Sequence, residues 1–299
     1  MVFNSKTYSE RLHQFSPEYI LITKLPFLLF TFPVLALASQ YGDEAFIEGG
    51  RFYAGSVFGQ HDYAAHTNVE LADFTIMRSE VSYRLYADVR SWAVSHGYSF
   101  GEGCNGATFE ECLPPDEDNG MHPVTHVEWS DAAIFANAFS EMSGLRPVYQ
   151  NKDGQPARDS ARYEFRPDRQ ADGYRLPTIE EWQIAARGGK TGLKNGSYGY
   201  RYSGSEEAKD VAWFPGIESS SLGSIPTERL HPNAAGLYDM SGNVSEWVYA
   251  FDVVSGINMY YFCGGSFLLP TTSLASCDTH SAGYALPDTG FRLVRTHFR

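Results

Sequence analysis

The sequence predicts one α+β domain, irregular and rich in loops, behind a short N-terminal segment. Its 299 residues include 28 glycines and 15% aromatic residues, which is typical of a turn-rich fold and not of a helical bundle. Three stretches have the spacing of amphipathic helices, and the remainder consists of short extended segments and polar loops. Because no internal repeat or linker separates these parts, we expect a single domain over residues 39–299.

Residues 1–38 have the pattern of a targeting segment. Lys24 precedes an apolar run that ends in Ala36-Leu37-Ala38, the small-x-small form of a signal-peptide cleavage site. The run is short for a bilayer span, but the segment before it is long for a signal peptide. A cleaved signal peptide and an uncleaved apolar anchor therefore both stay open. With cleavage, we expect a periplasmic or secreted protein that has no membrane span after signal removal.

The first predicted elements are a strand and a helix. Residues 46–56 are expected to form an opening strand that bends at a glycine pair. Residues 79–96 carry apolar side chains at helical spacing, so we predict a helix capped by Ser79 and ended by Gly97. The apolar face of this helix comprises Val81, Leu85, Val89 and Trp92. Residues 99–121 are polar and are predicted to form a surface loop.

Two further helices are indicated by their caps and stops. Ser130 is the predicted cap of the second helix, which Gly144 ends. The third helix begins with a capping box formed by Thr178 and Glu181. Between the two helices, residues 151–154 have the composition of a hairpin turn.

Charge and cysteine content restrict the partner and the compartment. The net charge of −13 argues against a nucleic-acid partner held through its phosphates. Four cysteines behind an export signal favour two disulfides. Three pairings are possible, and we favour the local ones, Cys104 with Cys112 and Cys263 with Cys277, although sequence alone does not fix connectivity.

A late stretch of the chain combines turn-forming residues with two carboxylates. It runs Asn233-Ala-Ala-Gly-Leu-Tyr-Asp239-Met-Ser-Gly242-Asn243-Val-Ser-Glu246-Trp247. Such a turn can direct backbone carbonyls inward, and hard divalent cations prefer cages made of oxygen ligands. The alternative is a buried polar turn without an ion, because the EF-hand spacing is absent.

The same stretch resembles the signature of the formylglycine-generating enzyme, or sulfatase-modifying factor, domain family. Further blocks match that family in the family's order, so the resemblance spans about residues 45–295. These blocks are residues 46–56, 123–132, 174–189, and 264–267 with 290–294. The resemblance implies an α+β fold of the C-type-lectin-like kind. Because function depends on the site and not on the fold, it implies an activity less directly.

The resemblance also implies structural calcium, at one or two sites. The family's second calcium site would use the side chains of Asp239 and Glu246 with carbonyls of Gly242 and Val244. The first site would begin at Asp210 and Val211. Calcium, and not zinc, suits carboxylate and carbonyl donors.

The cysteines depart from the pattern of an active formylglycine-generating enzyme. That family carries a C-x-x-x-x-C pair between the Gly-Gly-Ser and Gly-Phe-Arg blocks, and soft thiolates of this kind bind copper(I). This chain has only Cys277 in the interval. Cys277 is a weak catalytic candidate, either alone or with His280. We therefore expect no copper site and no formylglycine generation.

A histidine motif in the chain has the bare pattern of an iron site. His122-x-x-x-His126-x-Glu128 resembles the iron-binding motif of ergothioneine synthases, which share this domain. That motif requires a helix, whereas Pro123 and its β-branched neighbours favour a strand. On a strand the two histidines would lie about 13 Å apart, too far to share one ion.

Three classes of function follow from these observations. The first is an exported accessory protein that binds an unidentified protein or peptide in a protein-modification or secretion system. The second is a periplasmic oxidoreductase resembling the family member required for pyoverdine maturation. The third, a diversified ligand-binding protein, is disfavoured because residues 259–299 contain no asparagine. The sequence favours the first class but leaves the enzymatic status of the protein undecided.

Overall fold

A computed structural model describes residues 43–55, 67–109, 112, 119–162, 164–216, 223–270, 273–274 and 276–297. The chain divides into one unit of Met1–Phe32 and a second unit of Pro33–Arg299. The predicted targeting segment, residues 1–38, lies outside the described residues. Among the residues that are described, no helix is both long enough and apolar enough to cross a membrane.

The helices lie in the first two thirds of the domain, as the sequence predicts. They are α1 (Tyr83–Ser95), α2 (Trp129–Met142), α3 (Ile179–Ala186), α4 (Gly189–Asn195) and α5 (Ala208–Val211), with 3₁₀ turns at Asn119–Met121 and Ser197–Gly199.

The strands are short except for one long hairpin near the C-terminus. They are β1 (Glu44–Ile47), β2 (Gly50–Ala54), β3 (Thr67–Leu71), β4 (Phe74–Met77), β5 (Cys104–Asn105), β6 (Val124–Thr125), β7 (Tyr149–Gln150), β8 (Arg166–Pro167), β9 (Ser245–Val254), β10 (Ile257–Cys263), β11 (Cys277–Ser281), β12 (Thr289–Gly290) and β13 (Val294–Thr296). The mixture of helices with small, separate sheets confirms the predicted α+β class.

Two sheets organise the strands around the long hairpin and the chain ends. One sheet has the order β1-β4-β13, so the C-terminal strand pairs with a strand from the start of the domain. The other has the order β11-β10-β9-β12, in which β12 is the parallel neighbour of β9. The pairs β2-β3, β5-β6 and β7-β8 form separate two-stranded ribbons.

Two hydrophobic cores hold these layers together. The larger core lies between α1 and α2, where the ring of Tyr86 stacks on that of Phe135 at a centroid distance of 5.0 Å. The smaller core lies under α3, where Trp182 packs with apolar residues of β1, β4 and β13. Aromatic pairs of this kind contribute about 0.5–1.5 kcal/mol beyond the area they bury.

Two of the predicted helix caps were wrong, and one is confirmed. Ser82, not Ser79, caps α1 by accepting a hydrogen bond from the amide of Leu85. Glu128, not Ser130, is the cap of α2, which therefore begins earlier than predicted. Both errors arise because several polar residues precede each apolar run, and only backbone dihedrals select among them. Thr178 caps α3 with the predicted capping box.

Candidate functional site

The turn that carries the predicted calcium ligands is held in a conformation that few residues adopt. Asp239 and Asn243 both have positive φ, at 58° and 60°, and Gly242 has φ 85°. A Cβ atom on Gly242 would lie 2.3 Å from the backbone oxygen of Trp213, which pairs with this turn in a β-bridge. The turn therefore requires glycine at 242 for both its φ angle and its close approach to Trp213.

Glu246, a predicted calcium ligand, is occupied by protein donors. Its Oε1 accepts a hydrogen bond from Nη2 of Arg292 at 2.6 Å, and its Oε2 accepts one from Nε of Arg292 at 2.7 Å. Nε1 of Trp182 donates to the same Oε2 at 2.8 Å. Glu246 thus neutralises a buried guanidinium, which disfavours a second cation at the same carboxylate.

Asp239 lies in a different environment, beside a second buried carboxylate. Its Oδ2 accepts a hydrogen bond from the amide of Glu228 at 2.8 Å. Burial raises its pKa to about 6, and burial raises the pKa of the neighbouring Glu80 well above its usual value. Oδ1 of Asp239 and Oε2 of Glu80 receive no hydrogen bond from a described donor. A proton or a cation between the two carboxylates would satisfy both oxygens.

The predicted calcium ligands therefore lie in different environments in the structure. Asp239 retains an oxygen suited to an ion, whereas Glu246 is engaged by Arg292. Asp210 and Val211 end α5, two residues before the bridge that Trp213 makes to Gly242, so the two predicted segments are neighbours in space. Among the four predicted ligands, the structure therefore favours the oxygen of Asp239 and disfavours the carboxylate of Glu246.

Both predicted disulfides are present in the structure. Cys104 is joined to Cys112, and Cys263 is joined to Cys277. The second bridge crosses between β10 and β11, where Cys263 and Cys277 face each other in register. Cys277, the weak catalytic candidate, thus offers no free thiolate for copper in this structure.

The two histidines of the apparent iron motif have separate roles. Nδ1 of His122 lies 2.9 Å from the hydroxyl of Ser224. His126 follows β6, has φ 54°, and donates its amide hydrogen to the carbonyl of Leu286. Burial lowers the pKa of the His126 imidazole, and Asp288 acts in the opposite direction. The predicted strand is present only in part: β6 covers Val124–Thr125, the backbone turns away at His126, and Trp129 already begins α2.

The tip of the β9–β10 hairpin exposes a group of apolar side chains. Beyond Met259 the strand pairing joins only these two strands among the described residues, apart from one hydrogen bond from the amide of Ala282 to the carbonyl of Asn258. The exposed fractions are 50% for Phe251, 62% for Val253, 57% for Val254 and 54% for Ile257. We call these four residues the hairpin tip. Strand alternation places Phe251 and Val253 on one face of the hairpin and Val254 and Ile257 on the other. Exposed apolar side chains of this kind are typical of an interaction surface.

An aromatic cleft lies directly beside the hairpin tip. Phe251 contacts Tyr260 at a centroid distance of 5.8 Å, and Tyr260 stacks on Trp129 at 4.4 Å. Phe165 and Asn258 continue from this cleft into a larger one of about 900 Å³, whose walls carry charges of both signs. Phe251 is the residue of the hairpin tip that lines this aromatic cleft.

The sequence analysis missed Arg292, Glu80 and the hairpin tip. Arg292 stands inside the apolar run Gly290-Phe-Arg-Leu-Val294, and an arginine in such a run is a signal for a buried ion pair. Glu80 precedes Val81 at the start of an apolar stripe and offers a weaker signal of the same kind. The exposure of the hairpin tip depends on where the neighbouring strands stop, which no local pattern encodes.

Comparison with known proteins gives one family and several relatives. Residues 33–297 match the family described as sulfatase-modifying factor enzyme 1-like domain. A relative from Paenibacillus barcinonensis, named chaperone protein LppX, is 31% identical over 85% of this chain and 89% of its own length.

Two solved structures share the fold. The crystal structure of CarF is similar with a TM-score of 0.80 and 50% identity, over 86% of this chain and 99% of that one. PvdO from Pseudomonas aeruginosa shares the fold at 20% identity and a TM-score of 0.61, over 85% of this chain and 94% of its own.

Proposed function

Because this chain belongs to the sulfatase-modifying factor domain family, which includes the formylglycine-generating enzymes, we propose that it is an exported accessory protein that binds a partner protein and does not oxidise cysteine. The observation that carries this proposal is the bridge between Cys263 and Cys277. The interval that holds two cysteines in active members of the family has only Cys277 here. With its sulfur in a disulfide, that interval lacks the thiolate pair that binds copper(I).

The hairpin tip and the aromatic cleft beside it supply the binding face. An extended peptide can add to an unpaired strand edge through main-chain hydrogen bonds, while apolar pockets select its side chains. Phe251 and Val253 lie in the part of β9 that pairs with β10 alone among the described residues, and Trp129 and Phe165 line the cleft next to it. We therefore assign to the partner an extended segment with apolar side chains.

The name of one relative agrees with a partner-binding role. LppX is called a chaperone protein, and its similarity to this chain extends over nearly the whole of both proteins. A chaperone acts on another polypeptide, so an exposed apolar surface is a requirement for its function. In this proposal, the client is an exported protein that presents an extended apolar segment.

Site-specific photo-crosslinking in the native host tests the binding face. A photoreactive residue at Val253 is expected to capture a specific exported protein, and binding is then reconstituted with that purified protein. Val94 on α1 has a similar exposed fraction, 58% against 62%, and is the matched control position. Phe251→Ser is expected to weaken the reconstituted binding at least tenfold. Equal capture from Val94, or binding unaffected by Phe251→Ser, would contradict the proposal.

A second arm of the experiment tests formylglycine generation, the oxidation of a cysteine that the proposal excludes. The purified protein is incubated with copper(I), oxygen and a peptide that carries one cysteine, and the mass of the peptide is followed. We expect an unchanged cysteine. Conversion that depends on Cys277 would establish an oxidase and overturn the proposed function.

Export and calcium binding are the remaining parts of the proposal. Two disulfides are typical of an oxidising compartment, and they support a periplasmic or secreted protein with residues 1–38 as its targeting segment. Intact-mass analysis of the exported protein should give a chain that starts near Ser39, and a retained Met1 would contradict cleavage. Structural calcium at Asp239 is supported by its free buried oxygen.

A further inference from the structure

A group of three metal-ligating side chains lies outside every site described so far. Sγ of Cys104, Sγ of Cys112 and one imidazole nitrogen of His126 all lie within 4.8 Å of one another. Among the described residues, this is the one group of three or more such ligands that could hold an ion. Neither the proposed function nor the expected calcium site uses it.

The backbone around this group is fixed by two short strands. Cys104 in β5 pairs with Thr125 in β6, and His126 follows Thr125 directly. The hydroxyl of Thr125 lies 3.2 Å from Nδ1 of His126 and donates to the carbonyl of Cys104. Because the hydroxyl hydrogen of Thr125 is used there, Nδ1–H of His126 donates to Oγ1 of Thr125, and a hydrogen bond of this kind orients the ring of a histidine that binds a metal.

The two sulfurs differ in their access to solvent. Cys104 is fully buried, whereas Cys112 is exposed. A thiolate from solution can therefore attack Sγ of Cys112, but not Sγ of Cys104. Thiol–disulfide exchange requires this kind of access to one sulfur.

We propose that reduction of the Cys104–Cys112 disulfide creates a metal site. In the reduced protein, Cys104, Cys112 and His126 bind one thiophilic cation such as Zn²⁺. A tetrahedral zinc ion with about 2.3 Å bonds to sulfur and about 2.0 Å bonds to nitrogen separates its ligand atoms by about 3.5–3.8 Å. After reduction the two sulfurs must move apart to reach that arrangement, and all three ligand atoms start within 4.8 Å of one another. The described residues supply three ligands, and in this proposal a water molecule is the fourth.

The reduction balances with a dithiol as the electron donor. One thiolate of the dithiol attacks Sγ of Cys112, and the bond between the two cysteine sulfurs breaks with its electron pair leaving on Cys104. The second thiol of the donor then displaces Cys112, so the donor is oxidised to a disulfide and both cysteines are reduced. Zinc binding releases the two thiol protons.

The second disulfide lacks this arrangement and serves as an internal comparison. Cys263 and Cys277 are joined across β10 and β11, and no described histidine, aspartate or glutamate forms a three-ligand group with them. A site that depended on any reduced cysteine pair would use both bridges equally. The proposed site depends on His126 and is specific to the first bridge.

Metal titration of the folded protein in two redox states tests the proposal. The protein is treated anaerobically with a phosphine reductant or left oxidised, equilibrated with Zn²⁺, desalted and assayed for metal by mass spectrometry. We expect one zinc per reduced chain and none per oxidised chain. Co²⁺ in place of Zn²⁺ should give thiolate-to-cobalt charge-transfer absorption in the reduced protein.

Matched variants separate the proposed site from its alternatives. His126→Asn retains both disulfides and a residue that tolerates positive φ, and it should lower zinc affinity at least tenfold. His96→Gln changes the exposed histidine that follows α1 and should leave affinity unchanged. Circular dichroism of each oxidised and reduced form establishes that it is folded.

Three outcomes would overturn the proposal. They are equal zinc content in reduced and oxidised protein, a zinc affinity that His126→Asn leaves unchanged, and zinc binding that is abolished by Cys263→Ser with Cys277→Ser. Loss of the reduced fold without zinc and its recovery with zinc would support the proposal, because the ion then supplies the stability that the disulfide supplied.

Discussion

Arg292 donates hydrogen bonds to both carboxylate oxygens of Glu246, and the two side chains are 0% and 1% exposed. The same guanidinium also donates to the backbone carbonyls of Met77, Arg78 and Tyr238. It therefore connects the end of β4, the turn that carries the predicted calcium ligands, and the start of β9. The negative charge of Glu246 offsets the free-energy cost of burying the guanidinium of Arg292.

Removal of the Glu246 charge should destabilise the protein strongly. Glu246→Gln preserves the shape of the side chain but leaves the guanidinium of Arg292 buried and uncompensated. We expect a loss of about 3–5 kcal/mol in the free energy of unfolding, measured by urea denaturation at neutral pH. Glu48→Gln is the control, because its pair with Lys190 is 59% and 42% exposed and should contribute about 0–1 kcal/mol.

Calcium gives this experiment a second readout. If Glu246 held calcium, a chelator would reduce the difference between wild type and Glu246→Gln. We expect the difference to persist in chelator, because the variant acts through Arg292. A loss under about 1 kcal/mol, or one that chelation removes, would contradict the ion-pair role of Glu246.

Gly242 should tolerate no side chain. Gly242→Ala places a Cβ atom 2.3 Å from the carbonyl oxygen of Trp213 at φ 85°, so the turn must shift. Gly256→Ala has a similar φ of 81° but meets no atom within 4 Å. We expect Gly256→Ala to cost about 1–2 kcal/mol from left-handed strain and Gly242→Ala to cost clearly more. Equal unfolding free energies for the two variants would show that the contact with Trp213 is unimportant.

The bridge between Cys263 and Cys277 should contribute substantially to stability. Its sequence separation of 14 residues predicts about 3 kcal/mol from loop closure in the unfolded chain. Cys263→Ser with Cys277→Ser should lose that amount in a urea titration under non-reducing conditions. The Cys104–Cys112 bridge closes a shorter loop, with a separation of 8, and its removal should cost somewhat less. A larger loss for the shorter loop would indicate that native contacts, and not loop entropy, dominate.

Sequence patterns correctly predicted the structural features that involve residues close together in the chain. The capping box at Thr178 and Glu181 and the pairing of Cys263 with Cys277 were identified because each signal is short in sequence. The family blocks predicted the α+β fold for the same reason. The partner of Glu246 was missed, because Arg292 is 46 residues away and a carboxylate has the same appearance in sequence whether it binds an ion or a guanidinium.

The carboxylates of Asp239 and Glu80 should make stability depend on pH. Burial raises the pKa of Asp239 from its usual 3.8 to about 6, and raises the pKa of Glu80 as well. The folded state therefore binds more protons than the unfolded state above pH 4. In chelator, stability should be highest near pH 4 and fall as the pH rises through 6, by up to about 1.4 kcal/mol per pH unit for each group. Thermal melting between pH 4 and 8 measures the fall.

Calcium and two aspartate variants identify the cause of that fall. An ion bound at Asp239 would replace the proton, so calcium should flatten the pH dependence and chelation should lower the melting temperature more at pH 7 than at pH 4. Asp239→Asn should remove its share of the slope. Asp172→Asn should leave the slope unchanged, because hydrogen bonding by the Arg146 amide lowers the pKa of Asp172 and its titration lies below this window. A melting temperature that does not change with pH in chelator would show that Asp239 and Glu80 are charged in the folded protein without an ion. The pair would then be an ordinary part of the turn.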